Sequence, residues 1–208
     1  MTALPGARTP RPRGPGSRRT PEERRRQILD EATRIVGQRG FYGFSVQAVA
    51  DACGLTVAGL LHHVGSKDGL LVALLQDRDR RDAAAVAGEL GAGLDDLDGS
   101  SVEAMVAVLH AVVARNTTQP EIVRLYSMLR TESLYAGHPA HEYFRERDAR
   151  VLQTFTRLCT GHVEHPASTA RQLLAVMGGL EEQWLRAPDD VDLVAEWDRA
   201  VQRLLPRP

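Results

Sequence analysis

Two cysteines, Cys53 and Cys159, are the only thiols in 208 residues. They are too few and too far apart for a disulfide framework, so a reducing cytoplasm is the expected setting. No apolar run approaches the roughly 18 residues of a membrane span, and no membrane partner is expected. Residues 1–19 hold no acidic residue and no apolar segment, and a secretory signal is not expected there. The glycine patterns G-x-S-x-G, the P-loop and G-x-G-x-x-G do not occur. His141-Glu142 opens like the zinc-protease motif HExxH, but Arg145 stands where the second histidine would be. Cys159, His162 and His165 recur at three-residue intervals and offer soft metal ligands. Gly161 and Pro166 mark that stretch as a loop, where histidines are simply exposed. No catalytic residue, no cofactor and no metal are therefore expected, and the chain reads as not an enzyme. No alternation of apolar and polar residues marks a strand, which leaves an all-α protein.

Lysine occurs once. Every other Lys or Arg position is arginine, which points to a coding bias that Lys67 resists. The formal net charge of -1 hides a split: residues 1–81 hold 14 basic and 8 acidic side chains, and residues 82–208 hold 12 and 19. A basic front half and an acidic rear half fit a DNA-binding head on a body that stays off the DNA. Arg8, Arg11, Arg13, Arg18 and Arg19 lie in a Pro- and Gly-rich stretch that does not fold alone. This basic arm either lies on phosphates or is a solvated tail.

Thr20-Pro21-Glu22-Glu23 is a helix start, with Thr20 as cap, proline at the first helical position and Glu23 completing a capping box. Ile28, Ala32, Ile35 and Val36 then form one apolar face, and Gly40 closes the helix. Arg24, Arg25 and Arg26 near its start are either a solvated face or a source of one phosphate contact. Ser45 caps a short second helix with Val46, Val49 and Ala50 inward. Cys53-Gly54-Leu55 has the length of a tight helix-helix turn, with glycine in the left-handed conformation. Thr56 caps a third helix to about His63 whose inward anchors are Leu60 and Val64, leaving Val57, Ala58, Leu61, His62 and His63 outward. Behind Ser66, Lys67 sits among free backbone N–H groups at a helix start, an anion site that suits a DNA phosphate.

The run from Ala50 to Leu71, A-x-x-x-G-L-T-x-A-G-L-L-H-H-x-x-S-K-D-x-L-L, closely resembles the DNA-binding segment of the TetR (tetracycline-repressor) family, over about 50 residues with the preceding helix. It departs from the family at Leu61, where a phosphate-contacting tyrosine is common, at His63, where a second aromatic is usual, and at Val64, where a core phenylalanine normally sits. The helical segments number about nine in all, and the resemblance implies a three-helix head containing a helix-turn-helix, joined to a larger helical ligand-binding and dimerisation domain. The expected boundaries are a disordered arm over 1–19, the DNA-binding domain over 20–66 and the regulatory domain over 67–208. It implies a DNA surface made of Ser45, Thr56, Val57, Ala58, Leu61, His62, His63 and Lys67.

After Lys67 the helix is expected to run toward Leu90, and 91–100, rich in Gly and Asp, reads as a loop. Further helices are expected over 101–116, 120–134, 139–160 and 166–187, with Asp189 capping a last one to Leu205. Leu173, Met177, Leu180 and Trp184 recur on one face, as do Val191, Val194, Val201 and Leu205 on the next. These stripes are either a monomer core or, as the family implies, also pair with a second subunit as a four-helix bundle, with Leu173, Met177, Leu180, Trp184, Val194 and Val201 at the dimer interface. Met105, His110, Tyr126, Met128, Glu132, Tyr143 and Phe144, bulky or polar groups on central helices, are candidate effector contacts. The expected function is a one-component repressor that binds a palindromic double-stranded DNA operator as a homodimer and is released by a small molecule. An effector-independent architectural DNA-binding protein and a helical enzyme are the alternatives.

Overall fold

The computed structural model describes residues 19–39, 44–91 and 101–205. Residues 1–18 of the expected 1–19 arm, the helix stop at Gly40 and residues 92–100 of the expected 91–100 loop lie outside them. The described residues form nine helices and no strand: α1 (Pro21–Arg39), α2 (Val46–Cys53), α3 (Val57–Val64), α4 (Lys67–Leu90), α5 (Val102–Thr117), α6 (Pro120–Glu132), α7 (His141–Cys159), α8 (Pro166–Arg186) and α9 (Leu193–Leu204). Among them, no helix is long and apolar enough to cross a membrane.

Local chemistry sets most of these boundaries. Thr20 and Glu23 exchange hydrogen bonds at the start of α1, the Thr20 N–H donating to Glu23 at 2.7 Å and the Glu23 N–H to the Thr20 hydroxyl at 3.2 Å. Ser45, Thr56, Ser66 and Ser101 each accept from a backbone N–H in the first turn of the helix they precede. Such caps satisfy donors that a helix end otherwise leaves open, at about 1 kcal/mol each. The last helix departs from expectation. Asp192, not Asp189, caps α9, accepting from Ala195 N–H at 3.0 Å. The reason is the turn after α8, in which the N–H groups of Asp190 and Val191 both donate to the Ala187 carbonyl, so a new helix can start only beyond it. Similarly α6 ends at Glu132 rather than 134, because the next residues make successive turns that leave Leu134 and Tyr135 exposed.

The apolar faces converge on two clusters. The first holds Ile28, Ala32, Ile35 and Val36 of α1, Val49 and Ala50 of α2, Leu60 and Val64 of α3, and Leu70, Leu71, Leu74 and Leu75 of α4, and continues into Leu125 and Leu129 of α6 and Phe144 of α7. The second holds Val86 of α4, Met105 and Leu109 of α5, Phe155 and Leu158 of α7, Leu173 and Trp184 of α8, and Trp197 and Val201 of α9. Helix α4, like α7, contributes buried residues to both clusters, Leu70 near its start and Val86 near its end, and between them runs a charged band, Asp77 to Asp82. Leu173, Trp184 and Val201, expected at a subunit interface, are buried in the chain's own second cluster, and Met177, Leu180 and Val194 pack half-buried against it. An apolar stripe on an outer helix is satisfied first by its own core.

Candidate DNA-binding surface and regulatory body

Helices α2 and α3 meet at Gly54, whose φ of 65° is left-handed and whose N–H donates to the carbonyls of Ala50 and Asp51. This turn sets α3 across α1, with Leu60 and Val64 facing in. Of the residues expected to face out, Ala58 and His62 are exposed and His63 is half-buried. Val57 and Leu61 are half-buried too and pack against the head's core. The difference is geometric: an eight-residue helix in a corner between α1, α2 and α4 has less than half its circumference free. Ser45 and Thr56 spend their hydroxyls on caps, accepting from Ala48 N–H at 3.1 Å and Gly59 N–H at 3.0 Å. Arg25 of α1 donates to the His63 carbonyl at 3.1 Å, so one of the three clustered arginines closes the end of α3, and Arg24 donates to Gln27 at 2.7 Å.

Lys67 is exposed at the first position of α4, and Ser66 accepts from Gly69 N–H at 2.9 Å. Gly69 is the residue the sequence reading passed over. A Cβ there would stand 2.4 Å from the Val64 carbonyl oxygen, so only glycine lets α4 begin this close to the end of α3. The signal was present in S-K-D-G, where a glycine in a helix's first turn has no propensity reason to exist.

In the body, the candidate effector residues separate into groups. Tyr126, Tyr143 and Phe144 come together, Phe144 lying edge-on to both tyrosines at 5.0 Å between ring centroids. Met105 is in the second cluster. His110 instead pairs with Asp198 of α9 at 2.9 Å. Met128 is half-buried, and Glu132 borders a cleft of about 180 Å³ at the head's edge, with Phe44, Lys67, Leu71 and His138.

Around the tyrosines lies a polar network centred on the charged band of α4. Asp79 accepts from the Tyr143 hydroxyl at 2.6 Å and from Arg147 Nε at 3.0 Å. Asp82 accepts from Arg115 at 2.6 Å and Gln119 at 3.0 Å and lies 2.9 Å from Arg78 Nε. Arg81 pairs with Asp30 of α1 and with Asp77. The guanidinium groups of Arg78 and Arg147 stack on the Tyr126 ring at 4.5 and 4.7 Å. Burial pushes the hydroxyls of Tyr126 and Tyr143 well above the usual tyrosine range, so both stay protonated donors. Burial alone would lower Arg147, but the Asp79 carboxylate that accepts from it outweighs that and holds the group charged. The Tyr126 hydroxyl is buried with no hydrogen-bond partner. Tyr126 also lines a void of about 40 Å³, with Leu74, Arg78, Arg115 and Gln119 among others, space for water molecules rather than an organic ligand.

Glu181 of α8 accepts from Asn116 at 2.6 Å, and burial raises its carboxyl above the ordinary value against the pull of Arg78. A carboxyl whose folded pKa exceeds its unfolded one costs stability above both values and nothing below them. Glu181→Gln, which keeps an acceptor for Asn116, is therefore expected to raise the melting temperature at neutral pH. The gain should fade as pH falls from the raised folded value and be gone below the unfolded carboxyl value of about 4.3. Thermal melts of both proteins across that range check it, and a gain that persists at the acid end counts against the assignment.

Cys53 and Cys159 are buried, and burial raises both thiols. Among the described residues, no group of histidine, cysteine and carboxylate side chains is placed to hold a metal ion, so the Cys159, His162 and His165 spacing does not gather into a site.

Residues 28–74 match the family described as bacterial regulatory proteins, tetR family. The HTH-type transcriptional regulator BetI of Burkholderia thailandensis is 28% identical over 172 residues, 79% of this chain and 82% of that protein. The crystal structure of a TetR-family transcriptional regulator from Rhodococcus sp. superposes with a TM-score of 0.68 at 23% identity, over 88% of this chain and 99% of that one. The multidrug binding protein EbrR, solved with imidazole, gives 0.60 at 28% identity, over 89% and 97%.

Proposed function

We propose, from the premise that this chain belongs to the TetR family of bacterial transcriptional regulators, that it is a cytoplasmic repressor that grips a palindromic operator as a homodimer and lets go when a small molecule binds its body. The observation that carries the reading is the pair of groups left facing out of the head, the Ala58 and His62 face of α3 and Lys67 at the start of α4. A short helix with one exposed face is what a major groove admits, and a cation at the neighbouring helix start is what a phosphate meets. For the dimer, the outer side of α8 offers Ala175 and Gly179, exposed and small enough for a second helix to approach. For the effector, the unpartnered Tyr126 hydroxyl is a donor awaiting an acceptor, and EbrR, 28% identical, is a multidrug binding protein.

Selection of bound duplexes from random DNA tests the first part. An inverted repeat with half-sites about one helical turn apart, or a multiple of it, is expected. A non-palindromic site bound by one chain sinks the dimer, and equal binding of all duplexes makes the protein architectural. On the selected site, Lys67→Ala is expected to weaken operator and scrambled DNA by similar factors and to lower the log–log salt slope by about 0.9. His62→Ala is expected to weaken the operator alone, by about 1–3 kcal/mol, and to relax preference at one or two positions in each half-site. Titrations of both variants on both DNAs at several salt concentrations check this. Equal losses for His62→Ala on the two DNAs would leave His62 a phosphate contact.

A further inference from the structure

Asn116, near the end of α5, is buried, and its side chain spans two other helices. Its carbonyl oxygen accepts from Arg78 Nη2 of α4 at 3.1 Å, and its amide nitrogen donates to Glu181 of α8 at 2.6 Å. Arginine can only donate and a carboxylate can only accept, so the amide has a single orientation, oxygen toward α4 and nitrogen toward α8. Neither neighbour is loose. Arg78 is held by Asp82 and by the Tyr126 ring, and Glu181 lies on the inward side of α8 while Gly179 and Glu182 face out. A buried polar side chain with two fixed partners fixes a relative placement more sharply than apolar packing, which tolerates sliding.

We infer that Asn116 is a positioning residue that sets the angle of α4 against α8, and through it the spacing between half-sites that the dimer accepts. This rests on the proposed dimerisation through α8. Arg78 sits one turn beyond Leu74 and Leu75, which belong to the head's core. Lys67 is eleven residues upstream on the same helix, about 16 Å along its axis at 1.5 Å per residue. A tilt of about 10° at Arg78 moves Lys67 by roughly 3 Å, close to the ~3.4 Å rise of one base pair. In a symmetric dimer the two heads move together, so the relay between α4 and α8 determines which spacing fits.

The test compares affinities for the selected operator, for versions with one central base pair inserted or removed, and for an isolated half-site. The wild type is expected to prefer the selected spacing. Asn116→Leu, similar in volume but unable to make either hydrogen bond, is expected to reduce that preference about fivefold or more while binding the half-site as before. Glu181→Gln preserves the acceptor and is expected to keep the wild-type pattern. Glu181→Leu breaks the same relay from the α8 side and carries the same expectation as Asn116→Leu if that variant does not fold. Undiminished spacing preference in the relay-breaking variants overturns the inference, and so does equal weakening on half-site and operator, the signature of general damage. A wild type that selects no inverted repeat overturns the dimer reading itself, and shows in the first measurement, before any variant is compared.

Discussion

Asp79→Ala is expected to be among the most damaging single substitutions in the body, lowering unfolding stability by about 2–4 kcal/mol. The carboxylate accepts from both Tyr143 and Arg147, so its loss leaves a guanidinium and a hydroxyl together without their acceptor. Removing one partner of a buried ion pair costs roughly 3–5 kcal/mol. Asp79 and Arg147 retain about a quarter of their side-chain exposure, 25% and 23%, which places the expectation toward the lower end. Asp79→Asn keeps one acceptor and should recover part of the loss. Urea unfolding decides the matter: the midpoint should fall at constant slope, and a shift below about 1 kcal/mol would mean the network is mostly solvated.

Leu60→Ala should act on the head with comparable size and a different signature. Leu60 is fully buried between α1, α2 and α4, and truncating such a leucine costs about 2–5 kcal/mol. Because it anchors α3, operator affinity is expected to fall more than tenfold at temperatures where the protein remains mostly helical. Trp184 and Trp197 are the chain's two tryptophans, and both belong to the second cluster. Tryptophan fluorescence therefore follows the body, while circular dichroism follows all helices. In Leu60→Ala the loss of helix signal should begin at lower urea than the fluorescence change. Coincident transitions would show instead that the two clusters melt as one unit.

Much of the fold was legible because its signals are local. The Thr20 and Glu23 capping box, the caps at Ser45, Thr56 and Ser66, and the turn at Gly54 each depend on a few consecutive residues, and each forms as the spacing predicts. What the sequence hid depends on distance along the chain. The partners of Asp79 lie 64 and 68 residues away, and nothing in the pattern of α4, D-R-D-R-R-D, distinguishes a buried ionic band from a solvated one. Orientation was also hidden. The stripe of Leu173 and Trp184 has the same periodicity whether it meets its own core or another subunit, and Val57 and Leu61 read as outward because periodicity assigns faces without knowing how deep the helix sits. Tyr126, Tyr143 and Phe144 group because bulky side chains on α6 and α7 meet. Met105 and His110 are as bulky or polar, but α5 carries them to a different part of the body.

The 40 Å³ void beside Tyr126 gives the proposed switch an adjustable set point. A body packed this tightly must open before an organic molecule enters, and the concentration at which the molecule acts scales inversely with the fraction of time spent open. A substitution that trims an apolar side chain around that void, touching neither DNA nor ligand, would raise the open fraction and lower the dose that releases the operator. One that fills it would do the reverse. Responsiveness can thus drift over generations through packing alone, with recognition of both DNA and ligand left intact.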